Sequence, residues 1–257
     1  MLTRAELLGQ IMKNYQTSIA VSGTHGKTTT TSMFSSVLLA ADADPTISVG
    51  GILEAIGGNI RVGKSETFIT EACEYTNSFL SFYPTMSIIL NIEEDHMDFF
   101  KDLDDIMNSF RLFAKRLPKD GVLIINKEIK DYEKVTEGLE CKVITYGMDP
   151  SCTYHAENIT FNAQGFGEFD VMHHSTNMGH IVLNVPGQHN VSNALAVIAA
   201  ARKLGISMEQ IQAGLLGFSG ANRRFQRKGE YNGVTIIDDY AHHPTEIRTT
   251  LEATKNY

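Results

Sequence analysis

The sequence is poor in cysteine, lacks long apolar runs and shows no targeting signal. Its three cysteines are too few for a disulfide framework, and their spacing shows no repeat of the kind that zinc ligands have. No apolar run approaches the ~20 residues that a membrane-spanning helix needs. The opening residues, MLTRAELLGQIMKNY, alternate apolar and polar positions at helical spacing and lack a signal-peptide core. We therefore expect a cytoplasmic protein without membrane contacts.

Basic residues are outnumbered by acidic ones. Lysine and arginine total 22 against 30 aspartates and glutamates, so the formal net charge is −8. Because binding to a phosphate backbone needs a basic surface, nucleic acid is not expected as a partner. A site for an anionic ligand must then be a local arrangement that works against the overall field. The 257 residues suffice for one large domain or two smaller ones, and the oligomeric state stays open.

Strand and helix patterns alternate along most of the chain. A buried strand pattern at 17–22 runs into a glycine-rich turn, and a helical pattern follows Lys27. Such units favour an α/β fold, with a mostly parallel sheet of the P-loop type that helices cover on both faces. Residues 153–185 instead have glycine and asparagine punctuation with alternating apolar positions, which predicts a small antiparallel sheet. The other predicted strands are 66–72, 86–92, 121–126 and 142–146, and the other predicted helices are 102–117, 191–201 and 207–216.

The pattern changes after residue 216. Residues 217–229, GFSGANRRFQRKG, combine glycines with a basic cluster and predict a linker. A strand at 234–239 and a helix at 244–254, with Pro244 in its first turn, begin a new α/β unit. One strand and one helix cannot bury a core. We expect one domain over residues 1–222, followed at 223–257 by the linker and the first unit of a truncated Rossmann-like domain.

The turn at 23–31, GTHGKTTTT, indicates a phosphate-binding loop. Four threonines are a poor choice for helix stability, because threonine is stiff at χ1. Backbone N–H groups of the turn and the helix dipole would attract an anion. Lys27 would reach the terminal phosphates, the Thr28 hydroxyl would bind Mg²⁺ and Thr29 would contact the inner phosphate. The general motif has a glycine where this chain has Val21, so a chance glycine turn is the alternative.

Five stretches together resemble the Mur ligase family, the ATP-dependent amide ligases of peptidoglycan synthesis. They are GTHGKTTT (23–30), EACEYTNSFL (71–80), NIEEDHMDFF (91–100), PGQHNVSNALAVIAA (186–200) and RRF…DDYAHHPTE (223–246). The resemblance implies that residues 1–222 are the family's central ATP-binding domain. The last stretch is similar to the alanine-adding branch. The resemblance implies ATP and Mg²⁺ as cofactors. It also implies UDP-N-acetylmuramate and L-alanine as substrates that are joined through an acyl phosphate.

The resemblance also implies the residues that handle the metal and the phosphates. Glu74 and His96 would bind magnesium with Thr28. The carboxylates of Glu71 and Glu74 both follow a strand next to the P-loop strand, at the edge where α/β proteins bind ligands, and we prefer Glu74. Solvated loop carboxylates are the alternative. Arg224 would reach the γ-phosphate from the linker and act with Lys27 as a catalytic cation, with a solvated basic linker as the alternative.

The remaining implied roles concern adenosine and the amino acid. Asn190 and Asn193 would border the adenine with His189, although helix capping is the alternative for one asparagine. Asp239 would hold the ribose. Tyr240, His242 and His243 would face the amino-acid substrate, and we expect His242 to be the catalytic one of the three. The expected ATP-binding set is Gly23, Thr24, His25, Gly26, Lys27, Thr28, Thr29, His189, Asn190, Asn193 and Asp239.

The chain departs from the family pattern at one position, and its exact activity stays open. Many family members carry a carbamylated lysine beyond the magnesium-binding histidine, but Arg111 occupies the nearest position here and Lys115 lies a turn further on. No carbamate is therefore expected. A GTPase would need Asn-Lys-x-Asp, and the stretch NKEI at 126–129 ends in Ile129. The sequence is also compatible with a murein-tripeptide-recycling ligase and with a fragment that only binds nucleotide. We expect the fragment to be inactive alone. The unit from about Asn232 onward should be poorly ordered or packed against a neighbouring molecule, which would leave Asp239 and His242 away from Lys27.

Overall fold

A computed structural model describes residues 1–255. The helices are α1 (Arg4–Met12), α2 (Lys27–Ala40), α3 (Leu103–Ala114), α4 (Glu133–Thr136), α5 (Gln188–Lys203), α6 (Met208–Gly217) and α7 (Pro244–Thr254). The strands are β1 (Thr17–Ser22), β2 (Thr46–Leu53), β3 (Gly58–Arg61), β4 (Thr67–Glu71), β5 (Met86–Ile89), β6 (Val122–Asn126), β7 (Lys142–Gly147), β8 (Tyr154–Phe161), β9 (Phe166–His173), β10 (Thr176–Pro186), β11 (Gln226–Tyr231) and β12 (Val234–Asp238).

Ten of these strands form one sheet in the order β10-β9-β8-β7-β6-β5-β1-β4-β2-β3. Its middle is parallel from β2 to β8, which confirms the predicted α/β fold. The predicted antiparallel hairpins are also present as β8, β9 and β10, and they extend the edge of the parallel sheet. The carboxyl ends of β1, β4 and β5 therefore lie side by side. The chain segments that follow these three strands supply the site described below.

Helices cover both faces of the sheet, and the sheet separates two hydrophobic cores. Successive residues of β1 point into opposite cores, Ile19 toward α2, α5 and α6 and Ala20 toward α1 and α3. This double burial explains why β1 is buried continuously from Ser18 to Ser22. Helices α2 and α6 approach so closely that a β carbon on Gly214 would lie 2.5 Å from the Cα of Val37. That approach fixes the position of α2, which begins at the phosphate loop.

The predicted linker is partly a strand. Residues 226–231 form β11, which pairs with β12 in a separate antiparallel hairpin. Asn232 and Gly233 both have positive φ, at 49° and 78°, as the tight turn of such a hairpin requires. The Asn-Gly pair is the sequence signal for this hairpin, whereas the basic residues around it are typical of a linker.

The C-terminal unit packs against the rest of the molecule. The ring of His243 donates from Nε2 to the carbonyl oxygen of Glu94 (3.1 Å), and the Thr245 hydroxyl donates to Glu93 (2.9 Å). The backbone N–H of Tyr240 donates to the carbonyl of Arg223 (2.8 Å). The expectation that this unit lies apart from the phosphate loop is therefore wrong, because polar groups at the carboxyl edge of the sheet hold it. Among residues 1–255, no helix is long and apolar enough to cross a membrane.

Candidate functional site

The phosphate loop joins β1 to α2 through two glycines that their surroundings require. Gly26 caps α2 with φ 82°, and a β carbon there would lie 3.1 Å from Oδ1 of Asn193. Gly23 has φ 145°, and its β carbon would meet the side chain of Leu90 at 2.9 Å. A side chain at either position would be strained and crowded. The loop can therefore bring its backbone close to α5 and to the end of β5.

Asn91 holds the loop in shape. Its side-chain oxygen accepts from the backbone N–H of His25 (2.7 Å), and its side-chain nitrogen donates to the carbonyl of the same residue (3.1 Å). The Asn91 carbonyl accepts from the backbone N–H of Thr24 (3.2 Å). The first N–H groups of α2 have no partner within a helix and carry the positive end of its dipole. A fixed loop with such donors is suited to bind a phosphate.

Lys27 and Thr28 each meet one of two glutamates at the end of β4, Glu71 in its last position and Glu74 just beyond it. The Lys27 ammonium donates to both carboxylate oxygens of Glu74 (3.0 and 3.2 Å), to the Thr24 carbonyl (3.1 Å) and to the Gly23 carbonyl. Glu74 is only 2% exposed. The Thr28 hydroxyl instead donates to Glu71 (3.0 Å), whose other oxygen accepts from the backbone of Gly50. Glu74 therefore faces the lysine, and Glu71 faces the threonine.

A cluster of possible metal ligands lies beside Glu74. Glu74, Asp95 and His96 offer ligand atoms within 4.8 Å of one another. Nε2 of His96 is 3.8 Å from each of the two carboxylates. The backbone N–H of His96, a residue with φ 53°, donates to Asp95 (2.7 Å), and the ring of Tyr75 stacks on the imidazole at 4.4 Å. The two carboxylates fit a hard cation such as magnesium, and the imidazole is an unusual ligand for so hard an ion.

A cavity of about 250 Å³ opens between the phosphate loop, α5 and the C-terminal unit. It brings together most of the residues that the sequence assigned to ATP. Asn91, Glu93, Thr245 and Glu246 also line it, and sequence reasoning gave them no role. The predicted residues in its wall are His25, Gly26, Thr29, His189, Asn190, Asn193, Arg224 and Asp239.

The α5 wall of the cavity is built from the helix start. Gly187 is the N-cap of α5, so Asn190 and Asn193 lie inside the helix and the capping alternative does not hold for them. The Asn190 amide donates to the Pro186 carbonyl (2.8 Å) and accepts from Asn193 (3.2 Å). His189 is exposed along the cavity, but the protein packed around it lowers its pKa by desolvation. A neutral imidazole and two amides can contact the base of a nucleotide by hydrogen bonds and stacking.

Charged groups from three segments meet at the mouth of the cavity. The ring of His25 lies between Glu93 (Nε2 to Oε2, 3.5 Å) and Glu246 (Nδ1 to Oε1, 3.4 Å). It also contacts the ring of His243, with a centroid distance of 4.4 Å. Burial lowers the pKa of His25, but the two carboxylates outweigh burial and raise it to about 9. His25 is therefore a cation at neutral pH.

The residues of the DDYAHHPTE stretch differ in where they point. Asp239 lies in the cavity wall, and its two oxygens accept from the backbone N–H groups of Phe225 and Ala241 (both 2.7 Å). Nδ1 of His242 is 3.1 Å from the Tyr240 carbonyl, and its side chain is 67% exposed. His243, not His242, meets the phosphate loop. The structure therefore does not bring His242 to the cavity.

Comparisons with known proteins point to one family. The sequence model of the Mur ligase middle domain matches residues 21–201, and that of the Mur ligase glutamate ligase domain matches residues 223–257. A UDP-N-acetylmuramate–L-alanine ligase of Lachnospira eligens is 59% identical over 258 residues, and one of Agathobacter rectalis is 61% identical over 257. Both matches cover all of this chain but 56% of the relative. The chain thus spans about half the length of these relatives.

Solved structures agree with this result. The UDP-N-acetylmuramate-alanine ligase of Thermotoga maritima superposes with a TM-score of 0.85 at 30% identity, over 98% of this chain and 57% of that one. A murein peptide ligase of Psychrobacter arcticus superposes with a TM-score of 0.78 at 29% identity, over 98% of this chain and 57% of that one.

Proposed function

The chain belongs to the Mur ligase family, and from this premise we propose that it is the ATP-binding part of a ligase that joins L-alanine to UDP-N-acetylmuramate in peptidoglycan synthesis. The observation that carries the proposal is the phosphate loop that faces a cavity closed by α7. The names of relatives at 59% and 61% identity support the two substrates. We place the enzyme in the cytoplasm, where its soluble nucleotide substrates would be found.

ATP would lie along the cavity with its phosphates on residues 23–29. Lys27 and the N–H groups of α2 would bind the terminal phosphates, and Arg224, also in the cavity wall, would contact the γ-phosphate. His189, Asn190 and Asn193 would contact the adenine. Asp239 would face the ribose through a carboxylate that two backbone N–H groups already hold.

Glu74, Asp95 and His96 would hold magnesium, with the Thr28 hydroxyl on the phosphate side. The ion would neutralise negative charge on the phosphates. We favour Glu74 for this role because it lies with His96, whereas Glu71 lies against the Thr28 hydroxyl, on the phosphate side of the proposed site.

In the proposed reaction the muramate carboxylate attacks the γ-phosphorus of ATP, ADP leaves, and an acyl phosphate forms. The alanine amine then attacks the acyl carbon, and phosphate leaves. Both first-step reactants are anions, so the cations Lys27 and Arg224 would offset their repulsion. His242 would need to turn from its present exposed position to reach a substrate, and its neighbour His243 already lies at the loop.

We also propose that residues 1–222 and 223–257 belong to separate domains, which the separate β11–β12 sheet supports. A murein-tripeptide-recycling ligase is the second candidate, because the murein peptide ligase of P. arcticus has the same fold over 98% of the chain. Phosphate release distinguishes the two when the chain is extended to the full length of its curated relatives. We expect release with UDP-N-acetylmuramate and L-alanine, and release only with the tripeptide would favour the second candidate.

Calorimetric titration with Mg·ATP tests the nucleotide site directly. Lys27→Ala should weaken binding at least about tenfold, because it removes a charge-assisted contact to phosphate. Lys119→Ala is the matched control, since the Lys119 side chain is 81% exposed and forms a surface ion pair with Glu140. Equal affinities for the wild type and Lys27→Ala would refute the phosphate-loop assignment.

A further inference from the structure

Glu246 joins three segments of the chain through one carboxylate. It lies in the first turn of α7, and its Oε1 is 3.4 Å from Nδ1 of His25 and 3.8 Å from Nη1 of Arg224. Its Oε2 accepts from the backbone N–H of His242 (3.2 Å). The side chain is only 14% exposed, so solvent screens these ion pairs weakly. One cation comes from the phosphate loop, and the other comes from the segment that enters the C-terminal unit.

Two roles of this carboxylate can be separated. Glu246 is the third residue of α7 and forms a capping box with His243, which stabilises the helix start. Glutamine can also make the hydrogen bond of a capping box. The ion pairs with His25 and Arg224 depend on the negative charge, which glutamine lacks. A Glu246→Gln variant therefore keeps the helix cap and loses the attraction to both cations.

Carboxylates supply most of the electrostatic attraction on the His25 ring. The groups that face its ring are Glu93, Glu246 and the ring of His243. His243 is already held, because its Nε2 donates to the Glu94 carbonyl and its Nδ1 accepts from the backbone N–H of Thr245. Glu93 follows β5 and belongs to the same body as the phosphate loop. Glu93 also accepts from the Thr245 hydroxyl of α7, and Glu246 is the carboxylate of α7 itself that pairs with His25.

We propose that Glu246 is a positioning residue whose charge holds α7 on His25 of the phosphate loop and, with the same oxygen, holds Arg224 at the cavity. The proposal rests on the proposed function for the role of Arg224. Docking of α7 and placement of Arg224 then occur together. A nucleotide in the cavity meets both cations only when the C-terminal unit is docked.

Hydrogen exchange of the α7 amides in the ligand-free chain tests the docking. Glu246→Gln and His25→Gln should each speed exchange of the α7 amides about fivefold or more. The double variant should exchange no more than about twofold faster than the faster single variant, because both substitutions remove the same ion pair between His25 and Glu246. The Glu246→Gln and Arg224→Gln pair should be non-additive in the same way. Amides of α5 should not change. Glu252→Gln, an exposed change on the same helix, is the matched control.

The outcomes separate this proposal from the proposed function. Wild-type exchange in Glu246→Gln would show that the residue only caps the helix and would overturn the proposal, as would additivity in either cycle. If the exchange effects are non-additive but Lys27→Ala binds ATP as tightly as the wild type, Glu246 remains the positioning residue and the nucleotide assignment is refuted.

Discussion

His25 carries a positive charge in the folded protein over a wider pH range than a free histidine does. Its pKa is raised from 6.5 to about 9, whereas in the unfolded chain it has the ordinary value. The stabilisation is therefore fully present below pH 6.5 and is lost as the pH rises from 6.5 through 9. We expect the unfolding free energy, measured by urea denaturation, to fall over this interval by roughly 1–3 kcal/mol. His25→Gln should flatten the profile, and an unchanged slope would contradict the assignment.

Asn91 offers a second test at the residue scale. Asn91→Ala leaves both the N–H and the carbonyl of His25 without their side-chain partner. We expect a loss of about 1–3 kcal/mol in unfolding free energy, with weaker ATP binding because the loop loses its fixed shape. Urea unfolding and calorimetry measure the two effects. Asn108→Ala, at an exposed position of α3, should lower neither the stability nor the ATP affinity. If Asn91→Ala has the stability and ATP affinity of the wild type, the loop keeps its shape without this anchor.

Sequence reasoning at this scale found residues whose role follows from a local motif. The loop residues form a motif that indicates its own chemistry, whereas Glu74 and His96 were proposed from the family resemblance. Asn91 and Glu246 were missed because their roles come from partners far away in the chain. The choice of His242 over His243 depended on side-chain direction, which adjacent identical residues do not reveal.

At the scale of elements, the contact of α6 with α2 makes a sharp prediction. Gly214→Ala would place a β carbon 2.5 Å from the Cα of Val37, and backbone cannot move aside cheaply. We expect a loss of about 1–3 kcal/mol in unfolding free energy, although alanine favours helices by about 1 kcal/mol.

Gly217→Ala is the control for that prediction. It lies in the same helix, and a β carbon there meets nothing within 4 Å, so it should leave stability unchanged or raise it. Chemical unfolding of both variants gives the comparison. Equal stabilities would show that α2 and α6 separate easily.

Element prediction succeeded where one periodicity dominated. Strand β1 and helix α7 have the predicted bounds, because an apolar run before glycine and a proline in a first turn are strong local signals. Strand β11 was missed because its outward positions are charged and its pairing depends on β12.

At the scale of the whole molecule, α5 and the C-terminal unit close one cavity with the loop. Mg·ATP should therefore slow hydrogen exchange both at residues 23–29 and in α7, which lie near opposite ends of the chain. Lys27→Ala should remove both effects at a fixed ATP concentration, since protection requires bound nucleotide. Protection of the loop alone would show that α7 does not respond to the nucleotide.

The order of strands in the ten-stranded sheet could not be derived from the sequence. Alternating units predict a parallel sheet, but which strand lies beside which is decided by how helices pack on its faces. The antiparallel hairpins were predicted as a local feature, but the parallel pairing of Tyr146 with Tyr154, which joins them to β7 through β8, has no sequence signal of its own.

The contact between Lys27 and Glu74 has a thermodynamic consequence. Glu74 is 2% exposed, and Lys27 is its closest cation among the described residues. A buried carboxylate that loses its counterion is strongly destabilised, so the ammonium can turn toward a triphosphate only as another cation takes its place. Nucleotide and divalent ion should accordingly bind with positive cooperativity, each raising the affinity for the other by the same factor. Free ATP, which brings anionic charge without a replacement cation, would then be excluded by the carboxylate itself.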